Sequence, residues 1–177
     1  PMGGVVGVAV KRNSMSDSKV TKSETGSYML ADNWDMEAIA SALILTRLLP
    51  VCGGVPLVPT LLDGNEVLPA GSAGRCLVLC SSKLLAQRSV LTSLKIAVDG
   101  GTSCLPVFLN DDFHVPSAKE LSRLAKRNSS EDDFESVVEA LHHLFRTIAV
   151  RFAPRESFAL IKMQIMSIGL RLRAFDV

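Results

Sequence analysis

The sequence predicts a doubly wound α/β domain, in which a mostly parallel sheet lies between two layers of helices. Several short segments are continuous apolar runs, which is typical of strands buried on both faces. They alternate along the chain with longer segments whose apolar residues recur at helical spacing. Glycine, proline and polar clusters separate the two kinds of segment, as connecting loops require. Alternation of this kind favours a parallel sheet with helices on both faces.

The composition is that of one globular domain and excludes several classes of function. The chain has 177 residues, of which 47% are hydrophobic and 21% charged. Nineteen basic and eighteen acidic residues leave a formal net charge of +1, so we expect binding neither to nucleic acid nor to an anionic membrane. No apolar segment reaches the about 20 residues of a membrane span, and no secretory signal pattern is present. We therefore expect a cytoplasmic protein without a membrane span.

The cysteines and acidic residues do not predict a metal site. Four cysteines lie within apolar stretches: Cys52, Cys76, Cys80 and Cys104. We expect free, buried thiols in a reducing compartment, because neither disulfide-scaffold spacing nor zinc-ligand spacing is present. Asp111 and Asp112 form an acidic pair without a recognised set of further ligands, and we interpret it as an exposed turn.

Two segments compete for the first core strand. Residues 5–10 are a β-branched run, and residues 13–26 after it are polar and rich in Ser and Thr, which predicts a loop. Residues 28–31 are the second candidate strand. Either residues 5–10 are an added N-terminal strand, or they are the core strand and the polar loop is an insertion. The predicted architecture is the same in both cases.

A helix and an irregular strand follow. Asp32 or Asn33 is predicted to cap a helix that ends before Pro50, since apolar residues repeat there at helical spacing. Residues 55–62 contain two prolines, each of which removes a donor of the strand ladder, so we predict an edge or irregular strand. Residues 63–74 are predicted to be a loop.

The middle of the chain repeats the strand and helix pattern. Residues 76–80 are a continuous apolar run and predict a buried strand. A helix is predicted over about residues 83–98, ending at the Asp-Gly-Gly sequence of residues 99–101, where a glycine supplies a left-handed conformation. Residues 104–109 are predicted to be a further buried strand.

Helices dominate the C-terminal part. The residues from Ser117 to Glu120 form a capping box that opens a short helix. After Ser130 and Asp133 a longer helix is predicted from Phe134 to Phe152, because its apolar residues form a regular helical stripe. A last helix is predicted over residues 158–170, and residues 171–177 are interpreted as a short strand.

The last predicted helix carries an apolar stripe along one side, with Met163 and Met166 beside it. The stripe consists of Phe158, Ile161, Ile165, Ile168 and Leu172. A helix of this pattern either completes the core of the domain or pairs with another chain.

The candidate ligand contacts follow predicted strands. In doubly wound sheets, ligands bind beyond the carboxyl ends of the strands, which directs attention to Ser81, Ser82 and Asn110. The glycines among residues 3–7 precede a predicted strand, so they do not form a dinucleotide-binding fingerprint. A phosphate-binding Gly-x-x-x-x-Gly-Lys-Ser/Thr sequence is also missing from the chain. A pocket for a nucleotide or another small molecule is the hypothesis that remains for these residues.

From about residue 27 to residue 154 the chain resembles a TIR domain, the Toll/interleukin-1 receptor homology module of flavodoxin-like fold. Residues 62–71, Leu-Asp-Gly-Asn-Glu-Val-Leu-Pro-Ala-Gly, are similar to the BB loop of that family, although Ala70 separates the proline from the glycine. Residues 76–85 are similar to the buried strand and helix start that precede the family's αC helix. Residues 105–109 are similar to the family's Ile-Pro-Ile/Val strand.

The resemblance implies one TIR-like domain over residues 1–177, with a core of about 27–154, an N-terminal addition over 1–26 and an apolar extension over 155–177. It also implies an interaction loop that comprises Asp63, Glu66, Val67, Leu68, Pro69 and Gly71. The loop either presents Leu68 to a partner or folds this side chain back onto the core. The expected partners are a second copy of the chain or another TIR-like domain.

Enzymatic TIR domains cleave the nicotinamide–ribose bond of NAD with a glutamate on αC, whose carboxylate stabilises positive charge that develops at the anomeric carbon. The resemblance places Ser93 at this position, and the chain has no glutamate between Glu66 and Glu120. It therefore implies an assembly domain without the usual catalytic acid and without a required cofactor, for which NAD is a possible ligand. The alternative is an NAD nucleosidase or a nucleotide-binding sensor domain.

Overall fold

The computed structural model contains a five-stranded parallel sheet, which confirms the predicted doubly wound, flavodoxin-like α/β architecture. The structure describes residues 26–55, 58–62, 66–69, 74–81, 83–109 and 113–175. The strands, in the sheet order β2-β1-β3-β4-β5, are β1 (Gly26–Leu30), β2 (Thr60–Leu62), β3 (Gly74–Cys80), β4 (Ser103–Phe108) and β5 (Val150–Arg151). The helices are α1 (Met36–Cys52), α2 (Arg88–Asp99), α3 (Ala118–Asn128), α4 (Phe134–Arg146) and α5 (Phe158–Ala174), with a single 3-10 turn at Leu84–Ala86.

The second candidate for the first strand is the one that lies in the sheet. Tyr28 of β1 is in register with Thr60 on one side and with Cys76 on the other, so this strand lies inside the sheet. The predicted strand over residues 5–10 and the polar residues 13–25 lie outside the described residues. The strand β2 is at one edge of the sheet, as predicted for residues 55–62, and it begins at Thr60, after both prolines of that segment.

The sheet separates two apolar clusters. Alternate side chains of a strand point to opposite faces, so Val78 and Cys80 of β3 pack with α2, α3 and α4, whereas Leu77 and Leu79 pack with α1 and α5. The helix α5 contributes Ile161, Ile165, Ile168 and Leu172 to the second cluster, while Phe158 is exposed. Four of the five residues of the predicted stripe thus complete the core.

The start and the end of α1 differ from the prediction. Asp35, not Asp32 or Asn33, caps the helix, because its Oδ1 accepts hydrogen bonds from the backbone N–H groups of Glu37 and Ala38. The helix also continues through Pro50 to Cys52. A proline in the last turn removes only its own backbone donor, and the N–H of Gly53 still reaches the carbonyl of Leu49 at 2.9 Å.

The helix predicted to end at Phe152 is shorter. The helix α4 ends at Arg146, the residues after it are extended, and Val150 pairs with Val107 in the fifth strand. Phe152 is fully buried and donates its backbone N–H to the carbonyl of Phe108 at 2.8 Å, whereas Ile148 is exposed. The helical spacing of these apolar residues was a coincidence, since a short strand and a helix end have no distinct pattern over so few residues.

Two further boundaries are corrected. The helix predicted over 83–98 is divided into the 3-10 turn and α2, because Gln87 between them is extended and its side chain bonds to Asp32. The strand predicted over 171–177 is wrong, since α5 continues to Ala174. The capping box of α3 and the left-handed Gly101 after α2 agree with the prediction.

The cysteines are free thiols, as predicted. Cys76, Cys80 and Cys104 are buried, whereas Cys52 is half-buried at the end of α1. The neighbouring thiol of Cys104, through a hydrogen bond, and then burial raise the pKa of Cys76, and burial raises the pKa of Cys80. Among the described residues no cluster of metal ligands occurs, and none of their helices is long and apolar enough to cross a membrane.

Candidate functional site

The position of the expected catalytic glutamate lies directly under the predicted interaction loop. Ser93 is in the second turn of α2 and is completely buried. Its Oγ accepts a hydrogen bond from the backbone N–H of Leu68 at 3.0 Å. The two residues are 25 positions apart in the sequence, so this bond joins the loop to the helix that covers the sheet.

Leu68 folds back onto the core. Its side chain is 2% exposed and lies in the cluster that also contains Leu62, Leu91 and Leu94. The residues beside it point outward: Val67 is 40% exposed, and Glu66 and Pro69 are also exposed. Of the two alternatives for the loop, the structure contains the one in which Leu68 is a core residue.

The remaining loop residues, Asp63 and Gly71, lie outside the described residues. The described part of the loop is therefore 66–69, a segment without helix or strand that has a buried leucine between exposed neighbours. A backbone donor buried without a partner costs about 1–3 kcal/mol, so the Ser93 hydroxyl stabilises this conformation beyond the packing of Leu68. Together the two residues attach the loop to the domain through an apolar contact and a hydrogen bond.

A second polar group lies at the carboxyl ends of β1 and β3. The Asp32 carboxylate is almost fully buried there. Its Oδ1 accepts hydrogen bonds from Gln87 Nε2 at 2.7 Å and from the backbone N–H of Trp34 at 3.0 Å. The hydroxyl of Ser81 lies 3.5 Å from Oδ2 and donates to it. These donors supply the partners that a buried carboxylate requires.

This group lies between β1 and β3, where the strand order reverses. From β1 the chain continues to β2 on one side of the sheet, and from β3 it continues to β4 on the other. Ligands of doubly wound folds bind at such points. Of the predicted ligand contacts, Ser81 is here and is turned toward Asp32, whereas Ser82 and Asn110 lie outside the described residues. Trp34, whose backbone N–H bonds to Asp32, is 90% exposed.

The sequence pattern assigned none of Asp32, Trp34 and Gln87 to a site. An acidic residue directly after an apolar strand was the available signal for Asp32, but it was interpreted as a helix cap. The role of Gln87 had no local signal, since its partner is 55 positions away.

Four cavities lie on the layer of α2, α3 and α4. One of them has a volume of about 420 Å³ and lies beside α4, between apolar residues such as Val98 and Val138 and polar ones such as Glu139, His142 and Arg146. Others, of 270 to 320 Å³, are lined by residues of α2 and α3 and of the segment between α3 and α4. None of the described residues predicted as site residues lines these four cavities.

Comparison of the chain with protein-family models gives no match, and comparison with curated proteins gives no relative. The fold is established by the sheet order and the strand directions. The likeness to TIR domains consequently rests on the residues that carry it.

Proposed function

We propose that this chain is a TIR-like assembly domain that does not cleave NAD. The observation that carries the proposal is the hydrogen bond between Ser93 and Leu68. In the resemblance, the first of these residues stands where enzymatic members have their glutamate, and the second belongs to the interaction loop. The bond makes the former catalytic position a support of the loop.

The missing carboxylate is the argument against catalysis. A serine hydroxyl is neutral, so it does not provide the negative charge that stabilises a developing oxocarbenium ion. Ser93 is also completely buried, and its oxygen already accepts the N–H of Leu68. A substrate would have to displace that bond and open the core to reach the hydroxyl.

The loop geometry is the argument for assembly. Leu68 and Ser93 hold the backbone, so that Glu66, Val67 and Pro69 are exposed at defined positions. A segment held in its binding conformation loses less conformational entropy when a partner binds. The partner that the resemblance implies is a second copy of the chain or another TIR-like domain.

The test is the molar mass of the purified chain, measured by light scattering over a series of concentrations. We expect the wild type to self-associate and Val67→Asp to shift the association to higher concentration by at least tenfold, because a charge replaces an exposed apolar contact. Val115→Asp is the matched control, since Val115 is 50% exposed and precedes α3, so that it is not part of the loop.

Equal association of the wild type and Val67→Asp would show that the loop does not mediate self-association. A monomeric wild type would exclude assembly between copies of this chain. Leu68 is not a suitable position for this test. Its side chain is buried, so an aspartate there would unfold the domain whether or not the loop binds a partner.

A second candidate function is binding of a small molecule without turnover. It is favoured by Trp34, which is 90% exposed and whose backbone N–H bonds to Asp32 at the reversal of strand order. Aromatic rings in such a position stack on flat ligands. A thermal-shift screen with NAD and cyclic nucleotides tests it, since a ligand at a hundredfold excess over its Kd stabilises by about 3 kcal/mol.

The chain has one tryptophan, so its fluorescence reports directly on this place. We expect a bound nucleotide to quench the emission, and Trp34→Ala to abolish the thermal shift. A shift that persists in Trp34→Ala would move the binding site elsewhere, and no shift with any of these ligands would exclude the second candidate.

A further inference from the structure

The outward side of the layer formed by α1 and α5 is apolar. Six large exposed side chains recur along it at helical spacing: Met36, Leu43 and Val51 of α1, and Met163, Met166 and Leu170 of α5. We call these six residues the α1–α5 face. Surface helices usually place polar residues on the side that faces solvent, and a contiguous exposed apolar patch is typical of an interaction site.

The two helices lie side by side and run in the same direction. At their N-terminal ends Glu37 Oε1 is 3.3 Å from Arg155 Nε, and at their C-terminal ends Arg173 Nη1 donates to the carbonyl of Gly53 at 2.7 Å. Gly169 permits a close approach, because a Cβ there would lie 2.1 Å from the Gly53 carbonyl oxygen. Each helix has 17 residues and is therefore about 25 Å long, so the face is a broad surface formed by two helices.

The charge on this layer is positive. The helix α5 contains Lys162, Arg171 and Arg173 and no acidic residue. The helix α1 adds Arg47, and its acidic Glu37 is paired with Arg155. Acidic residues are concentrated instead at residues 131–135, at the start of α4. The formal net charge of +1 predicted no attraction to an anionic membrane. A net charge sums over the whole chain, so it does not show that basic and acidic residues lie on different parts of the surface.

We propose that the α1–α5 face docks the protein on an anionic lipid bilayer. Exposed methionine and leucine side chains enter the boundary between headgroups and acyl chains, and the cations beside them contact the lipid phosphates. Charge complementarity selects this occupant. A second copy related by a twofold axis would bring like charges together, and a partner helix binds in a groove, whereas the four cavities described above lie on the opposite layer.

The test is sedimentation of the purified chain with vesicles of phosphatidylcholine, alone or mixed with phosphatidylserine. We expect binding to the mixed vesicles, little binding to pure phosphatidylcholine, and release at high salt. Each cation near an anionic surface contributes about fivefold to the partition coefficient, so Lys162→Glu, which removes one charge and adds its opposite, weakens binding by about thirtyfold. Met163→Ser weakens it several-fold through the lost apolar contact.

Lys119→Glu and Val115→Ser are the matched controls, because both residues are exposed on the other layer. We expect neither to change vesicle binding, and circular dichroism checks that every variant is folded. Val67→Asp also leaves vesicle binding unchanged, so the outcome is independent of the proposed assembly loop.

Three results would overturn the proposal. They are no binding to mixed vesicles, equal binding to pure phosphatidylcholine, and equal losses in Lys162→Glu and Lys119→Glu. If vesicles are not bound and Met163→Ser instead abolishes self-association, the α1–α5 face contacts protein and the lipid proposal is wrong.

Discussion

The hydroxyl of Ser93 accepts the backbone N–H of Leu68 at 3.0 Å, and both residues are buried. This bond connects a loop that resembles a protein-interaction loop to the helix position that resembles a catalytic one. It explains why a small polar residue occurs on the buried side of α2, among Val90, Leu91 and Leu94. A carboxylate in the same place would be buried on the apolar side of α2, which is unfavourable.

Removal of the hydroxyl should therefore destabilise the domain. Ser93→Ala leaves the N–H of Leu68 buried without an acceptor, and we expect the free energy of unfolding to fall by about 1–3 kcal/mol in chemical denaturation. Thr92→Ala is the matched control, because it deletes an exposed hydroxyl that bonds within the same helix, to the carbonyl of Arg88. Equal losses in the two variants would mean that the Ser93 bond has no special role.

Leu68 should behave as a core residue despite its place in a surface loop. We expect Leu68→Ala to lower the free energy of unfolding by about 2–5 kcal/mol, since it leaves a cavity in the apolar cluster. Val67→Ala, one residue away and 40% exposed, should change it by no more than about 0.5 kcal/mol. A small effect of Leu68→Ala would show that the loop is detached from the core in solution.

Two glycines test two different physical requirements. At Gly169 an added Cβ meets the Gly53 carbonyl oxygen at 2.1 Å, so Gly169→Ala has to move α5 away from α1. At Gly101 nothing lies within 4 Å, but its φ of +70° is unfavourable for alanine. We expect a loss of about 1–2 kcal/mol for Gly101→Ala and a larger one for Gly169→Ala. The reverse order in thermal unfolding would contradict the close packing of the two helices.

The ion pair between α2 and the start of α4 should make stability depend on pH. The Lys95 ammonium, and then the Ser130 hydroxyl, hold the pKa of Asp133 below its ordinary value by hydrogen bonding. A carboxyl whose pKa is lowered by folding stabilises the fold above its unfolded pKa, and this contribution is lost as the pH falls through the folded pKa. Wild type should exceed Asp133→Asn in stability at neutral pH. The difference should begin to decrease near the unfolded pKa, at about pH 4, and disappear as the pH falls through the lower pKa of the folded state.

The measurement is the midpoint of urea unfolding as a function of pH. Glu131→Gln is the control, because it changes the net charge equally in the same segment. A difference between wild type and Asp133→Asn that stays constant from neutral to acidic pH would show that the ion pair does not contribute.

Local patterns were sufficient for much of the fold and insufficient for its boundaries. The buried strands β3 and β4 and the capping box at Ser117 and Glu120 have strong local signals, and they were predicted correctly. The strand β5 was interpreted as helix, because Ile148, Ala149 and Phe152 on either side of it continue the spacing of α4 by chance. Residues 171–174 were interpreted as strand, although the carbonyls of Gly53 and Gly54 hold Arg173 at the end of a helix.

The candidate site was predictable to a smaller extent. The resemblance placed Ser93 at the position of the catalytic glutamate and Leu68 in the interaction loop. It did not predict their hydrogen bond, which is a tertiary contact across 25 positions. The same holds for Asp32 and Gln87, whose side chains meet across 55 positions. Contacts of this kind depend on where the fold places a loop relative to a helix. The periodicity of apolar residues in one sequence does not predict that placement.

The central claim is that the position of Ser93 supports the loop and takes no part in chemistry. Release of nicotinamide from NAD by the purified chain tests this most directly. The account predicts no release above that of a protein-free control, with or without a vesicle surface and at concentrations where the chain self-associates. Sustained release of nicotinamide that is lost when Ser93 is substituted would contradict the account.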